Sequence, residues 1–139
     1  MISPSDIRQA VRKVLEPIGI TIYGCAPTGS LRLPCIILGM PEWSRWNELS
    51  ARAQEKMDAW EVPVIVVVAM SAADPVTSVD SLDKTWPTVV SGLQDAIRSD
   101  QTLGGVCCSA IVDGAKFGSV SIANKEYPSY HIGLTLYDN

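Results

Sequence analysis

Residues 60–75 read WEVPVIVVVAMSAADP, and the middle of this stretch, Val62 to Met70, is apolar apart from Pro63 and carries no charge. A membrane span takes about 20 consecutive apolar residues, so the run is too short to cross one. At strand periodicity Trp60, Val62, Val64, Val66, Val68 and Met70 share one side, and Ile65, Val67 and Ala69 share the other. A strand with one side in water alternates apolar with polar residues. This one does not. The expectation is a central strand, from about Ala59 to Ser71, covered on both faces.

The chain has 139 residues, the size of one domain, 1–139, able to bury a core without staples. Hydrophobic residues make up 47% and charged residues 19%, which excludes a disordered composition. The net charge is −4, and the eleven Lys and Arg are scattered, so there is no basic footprint for nucleic acid. Met1-Ile2-Ser3-Pro4-Ser5-Asp6 leads into a helix pattern with no signal-peptide character.

Working outward from the apolar strand, Ser3 is placed to cap a helix over 4–16, with Pro4 at its first position and Asp6 completing a capping box. Ile7, Ala10, Val11, Val14 and Leu15 form its apolar stripe. Strands are expected at 20–23 and 33–39, joined by a loop containing Pro, Gly and Ser. Residues 42–59, EWSRWNELSARAQEKMDA, make a polar excursion before the central strand. Connections of this length in compact domains are uncommon and usually functional. Trp46, Leu49, Ala53 and Met57 fall near helical spacing, which allows a short helix there. The arm, about 42–58, either tucks Trp43 and Trp46 onto the core or reaches a partner.

After the strand, Leu82, Trp86, Val89, Val90, Leu93 and Ile97 mark one face of a helix that ends before Gly104-Gly105. Pro87 lies inside this pattern and either kinks the helix or opens a second helix after a short first turn. A strand at 106–112, a hairpin signal at Asp113-Gly114, a strand at 116–123, a turn at 124–126 and a last strand at 127–137 complete the chain. There is no alternation of strand and helix. The pattern argues an α+β domain: one mostly antiparallel sheet, two amphipathic helices on one face, and a long arm between two strands. Two helices cover one side of the central strand. The other side needs a folded-over sheet or a second subunit.

Chemistry is hard to find in this chain. His131 is the single imidazole, and its strand neighbours offer no carboxylate at orienting spacing. The four cysteines, at 25, 35, 107 and 108, form no C-x-x-C pair, so a zinc site is not expected and buried reduced thiols are. There is no phosphate loop and no nucleophile elbow. Asp80 and Asp83 suit a helix start. The expectation is a non-enzyme with no cofactor, no metal and no catalytic residue. A cysteine-dependent enzyme using Cys107 or Cys108 is a distant alternative.

One combination carries a resemblance. An N-terminal amphipathic helix precedes a polar arm ending in DAWEVPVIVVVAMS, then a helix entered through SVDSLDKTW, then Leu103-Gly104-Gly105-Val106, then a closing YPSYHIGLTLYDN. This order and texture resembles the tail terminator proteins of long-tailed bacteriophages and, more loosely, the tail-completion and neck proteins. The resemblance implies a structural virion protein of the tail or neck, assembled in the host cytoplasm. It implies a hexameric ring that caps the tail tube, stops its polymerisation and joins it to the head connector. DNA would pass through the lumen without sequence-specific binding, which an acidic chain suits. No membrane is involved. The family has no motif that fixes binding residues. From the residues themselves, Trp43, Arg45 and Trp46 are the anchors expected at an assembly interface, and Ile65 and Val67 the apolar surface beside them. The alternative is a monomeric or dimeric α+β domain that binds a small molecule or peptide.

Overall fold

The computed structural model describes residues 2–24, 31–46, 57–68, 80 and 83–138. Helix α1 spans Pro4–Leu15 and starts as its sequence dictates. The Asp6 amide donates to Ser3 Oγ at 3.1 Å, and the Ser3 amide donates to Asp6 Oδ2 at 3.2 Å. These two bonds satisfy helix-end donors that have no partner within the helix. The Ser3 hydroxyl, then its amide, hold the Asp6 carboxyl below its ordinary pKa. Ile7, Ala10, Val11 and Leu15 are buried as one stripe.

Strands β1 (Thr21–Tyr23), β2 (Cys35–Leu38), β3 (Glu42–Trp46), β4 (Met57–Val67), β5 (Ser109–Ile122) and β6 (Lys125–Asp138) form one six-stranded sheet. Its order is β1-β2-β4-β6-β5, with β3 also paired to β4. Only β1 and β2 run parallel; every other pair is antiparallel. Helix α2 (Ser91–Ser99) packs beside α1 on one face of this sheet. The result is the α+β architecture expected from the sequence.

β4 is the central strand. On the helix side, Trp60, Val62, Val64, Val66 and Val68 join Ile7, Val11, Leu93 and Ile97 in the main core. On the far side, Val67 is 0% exposed. It sits in a second core with Cys35, Ile37 and Ile122, flanked by Tyr23, Ile65, Val120 and Tyr127. The β5–β6 hairpin supplies part of that cover. Its rungs continue past Ser129↔Val67 to Val120↔Tyr127 and Ile122↔Lys125, and this twisted end folds back over the sheet. Sheet folding, within one chain, therefore covers the second face of β4 at its Val67 end. At the other end Glu61 and Pro63 remain exposed.

Four expectations are corrected. Residues 42–46 are strand β3, whose register runs from Glu42↔Glu61 to Trp46↔Met57, so Trp46 and Met57 are partners across a ribbon and not neighbours on a helix. The rest of the arm, 47–56, lies outside the described residues, as do Ala69, Met70 and the turn at 72–75. Asp113-Gly114 is a bulge within a continuous β5, where the register slips between Val112 and Gly114, and not a hairpin turn. The turn falls at Ala123 and Asn124, whose φ angles of 51° and 65° fit a two-residue hairpin loop. Residues 106–108 form a turn, and the strand begins only at Ser109.

Pro87 does not open a second helix, since residues 83–85 before it are already helical. It lies in a π-helical turn, Trp86–Val90, that runs into α2. The wider turn absorbs the missing amide and rotates what precedes it. Trp86 consequently leaves the buried face and is 47% exposed, edge-on to Tyr130 with ring centroids 5.3 Å apart. Leu82 lies outside the described residues. After α2 the chain turns through three successive left-handed residues, Leu103, Gly104 and Gly105.

Pro63 shapes the centre of the sheet. β2 pairs with Val64–Val67 of β4, and β3 pairs with Met57–Glu61 along the same edge. At Pro63, where no amide is available, one strand ends and the other takes over. The Gly39 amide donates to the Pro63 carbonyl at 2.8 Å. A Cβ on Gly39 would stand 2.4 Å from Pro63 Cγ, so Gly39→Ala should destabilise the protein by about 1–3 kcal/mol. Gly92, inside α2, has no atom closer than Ile18 Cγ1 at 4.0 Å. Gly92→Ala should therefore stabilise by about 0.5–1 kcal/mol through helix propensity. Urea unfolding of both variants checks the opposite signs.

Candidate assembly surface

The candidate residues separate in space. Trp43 stands on β3 opposite Trp60. Trp60 is 5% exposed and belongs to the main core, whereas Trp43 is 47% exposed at the rim of that face. Trp43 therefore extends the core outward rather than completing it. Arg45 and Trp46 continue the strand opposite Asp58 and Met57. Ile65 is half-buried between Ile37 and His131. Val67 lies between Cys35 and Ser129 and has no accessible surface, so it cannot contact a partner in this fold. Its role as an interface residue is corrected: hydrophobic burial within the chain already uses it.

Sequence reading missed the exposure of two aromatic positions, one of which, Trp86, it placed on the buried face of the helix. Phe117 is 61% exposed on β5, directly opposite Tyr130, and Trp86 leans on Tyr130 from the helix side. Burial first, and the Asp83 charge second, raise the Tyr130 hydroxyl pKa. These residues make an aromatic patch at one end of the helix face. No periodicity could have revealed it, because Phe117 follows the bulge and Trp86 opens the π-turn. Both irregularities shift the phase on which a periodicity argument depends.

The face away from the helices carries a shallow groove of about 450 Å³, lined by Glu42, Glu61, Ile65, Asp113 and His131. Two of its polar groups, His131 and Asp113, serve the fold. His131 Nε2 lies 3.0 Å from Ser129 Oγ and donates to the Ser119 carbonyl 3.1 Å away. A carbonyl only accepts, so Nε2 carries the proton. The ring lies against Gly118, where an added Cβ would come within 3.1 Å of it. Asp113, at the bulge, accepts a hydrogen bond from Thr135 Oγ1 across the strand pair. Among the described residues no group of three or more His, Cys, Asp or Glu is placed to hold a metal. A larger groove, about 800 Å³, runs between α1 and the end of α2, with Ala10, Val14, Leu103 and Val106 on its walls and Asp6 and Lys13 beside them.

Both β3 and β5 are edge strands. β6 occupies one side of β4 from Asp58 to Val67, so β3 must lie on the other side, the side of β2. β5 closes the opposite end of the sheet. Among the described residues no strand pairs with the outer edge of either. β5 is 14 residues long, and a free edge of that length is a template for another strand. The class this geometry defines is a single-sheet α+β domain with edge strands β1 and β3 on one side and β5 on the other. Neither family models nor curated proteins match the chain. Among the described residues no helix is long and apolar enough to cross a membrane.

Thiol behaviour follows from burial. Cys35 and Cys107 are buried and free, and Cys108 is exposed. Burial pushes the Cys35 thiol up to about 11. Burial also pushes Cys107 up to about 11, with the charges of Asp138 and Cys108 adding to it. At neutral pH both are protonated and poor nucleophiles. Alkylation of the native protein should modify Cys108 well before Cys35 or Cys107, as read by peptide mass mapping. Both groups release their proton later in the folded than in the unfolded chain. Their stabilising contribution is thus complete below pH 9.0 and lost as pH rises through about 11. A Cys35→Ala, Cys107→Ala variant should lose less stability than the parent across that window.

Proposed function

We propose that this chain is an assembly subunit that closes into a ring through contacts between unlike faces, in the manner of the tail terminators of long-tailed bacteriophages. On this reading it is a structural virion protein of the tail or neck. A ring, hexameric in that family, caps the tail tube, stops its growth and presents a surface to the head connector, while DNA passes through the lumen.

The observation that carries the reading is the pair of free strand edges, β3 and β5, on opposite sides of one sheet. A ring needs two different complementary surfaces on each subunit, and closure depends on the rotation between them. An edge strand offers unpaired amides and carbonyls along its length, and each of these two carries an exposed aromatic, Trp43 on β3 and Phe117 on β5. Aromatic anchors are favoured at interface centres. On the far face His131 and Asp113 are engaged in hydrogen bonds that hold strands in register. That arrangement suits a surface for protein contact better than a reaction centre.

The larger groove between α1 and α2 favours the second reading, a monomeric or dimeric domain that takes a small apolar ligand or peptide. Mass in solution separates the two. Sedimentation over a wide concentration range, with negative-stain images, should give monomers and one closed ring and no filaments. A protein that stays monomeric or dimeric throughout would overturn the ring. Trp43→Ala should leave the monomer folded, since the side chain is half in water, and should lower ring formation about tenfold or more. In a phage that depends on the gene, the same change should yield intact heads and tails of uncontrolled length.

A further inference from the structure

The free edges of β3 and β5 carry complementary residues. On β3, Glu42 sits on the face away from the helices, where it lines the groove with Ile65 and His131. Trp43, the next residue, sits on the helix face opposite Trp60. On β5, Lys116 pairs across the strand with His131, on the face away from the helices, and is exposed. Ala115 and Phe117 pair with Ile132 and Tyr130 on the helix face.

Glu42 stands in direct register with Glu61, and both are exposed. Like charges directly opposite in an antiparallel pair are unfavourable. A basic residue at position 42 would suit the isolated subunit better. The carboxylate at the free edge is therefore unexplained by the fold of one chain, while an exposed lysine waits on the other free edge.

Resting on the ring reading above, we infer that β3 of one copy adds to the outer edge of β5 of the next copy, antiparallel, with Glu42 opposite Lys116. That register places Trp43 opposite the small Ala115, diagonal to Phe117, so the two exposed aromatics of the edges meet on the helix face. Diagonal neighbours in an antiparallel pair are within reach of aromatic side chains. Positions 44 and 45 then meet Gly114 and Asp113 at the bulge, where regular pairing stops. Each subunit offers β3 and receives at β5, so the contact is head-to-tail and covers the middle of the longest free edge of the sheet.

The experiment uses the full chain in four forms: the parent, Glu42→Lys, Lys116→Glu, and an equimolar mixture of the two variants. Alone, each variant brings like charges together at every contact, and sedimentation should show association weakened about tenfold or more. In the mixture, the altered β3 edge of the first variant meets the altered β5 edge of the second. The unaltered β3 edge of the second meets the unaltered β5 edge of the first. An alternating ring with an even number of subunits therefore restores attraction at every contact, and the mixture should assemble within about threefold of the parent. Thermal melting keeps folding apart from assembly. Glu42→Lys replaces a like-charge pair with an opposite one, so the variant should melt no lower than the parent while assembling worse.

The outcomes divide cleanly. Assembly of either single variant at parental strength overturns the edge pairing, and so does failure of the mixture to recover. If the parent itself never assembles, the ring reading fails and takes this inference with it. If the parent forms rings that ignore both charge changes, only the edge pairing fails.

Discussion

Pro63 has no amide to give, and much of the sheet is arranged around that lack. β4 runs through the middle of the molecule with β6 along one side. On its other side a continuous neighbour would require a donor at Pro63. Instead β2 leaves and β3 arrives, with Gly39 set against the proline ring at a distance that no side chain tolerates. Because the partner changes there, β3 becomes a separate short ribbon strand with its own free edge. The separate edge of β3 thus descends from one residue in the most apolar part of the chain.

The two-sided burial of β4 has a division of labour behind it. The helices bring their apolar stripes to the valine side, which is ordinary packing of helix on sheet. Among the described residues the other side has no helix. There the long β5–β6 hairpin supplies its own far end as cover, and Val120, Ile122 and Tyr127 close over Cys35, Ile37 and Val67. A hairpin of this length must twist, and a bulge at Asp113 adds to the twist. Thr135 holds the bulge by donating to the Asp113 carboxylate. Each of these features reads as local irregularity on its own. Together they let one sheet serve as both layers of a small second core.

Where polar side chains gather, they hold strands in place. His131 is pinned between Ser129 and Ser119, and Asp113 is tied to Thr135. Two cysteines are buried and protonated at neutral pH. The uncommitted chemistry of the molecule lies at its periphery: Trp43 and Glu42 at one edge, Phe117 and Lys116 at the other. Exposed aromatic residues beside unpaired backbone have a physical reason to persist when another strand is to lie against them.

Much of the fold was legible in the residues themselves. The box of Ser3 and Asp6, the stripe of Ile7, Val11 and Leu15, and the apolar texture of 62–68 each depend on near neighbours along the chain, so local physics is enough to read them. The class, α+β with both helices on one face, follows from their order. The edges and the second core were not legible, because they depend on which strands become neighbours. Val67 looked like contact surface because its cover, Ile122, lies far away in sequence. Asp113-Gly114 looked like a turn because the same two residues serve a hairpin loop or a bulge, and only a partner strand continuing past them makes the choice. Trp86 looked buried until a wider helical turn at Pro87 rotated it toward Tyr130. Sequence by itself determined the elements and the greasy centre. Tertiary structure alone decided which apolar residues stay free, since exposure is a property of what arrives from elsewhere in the chain.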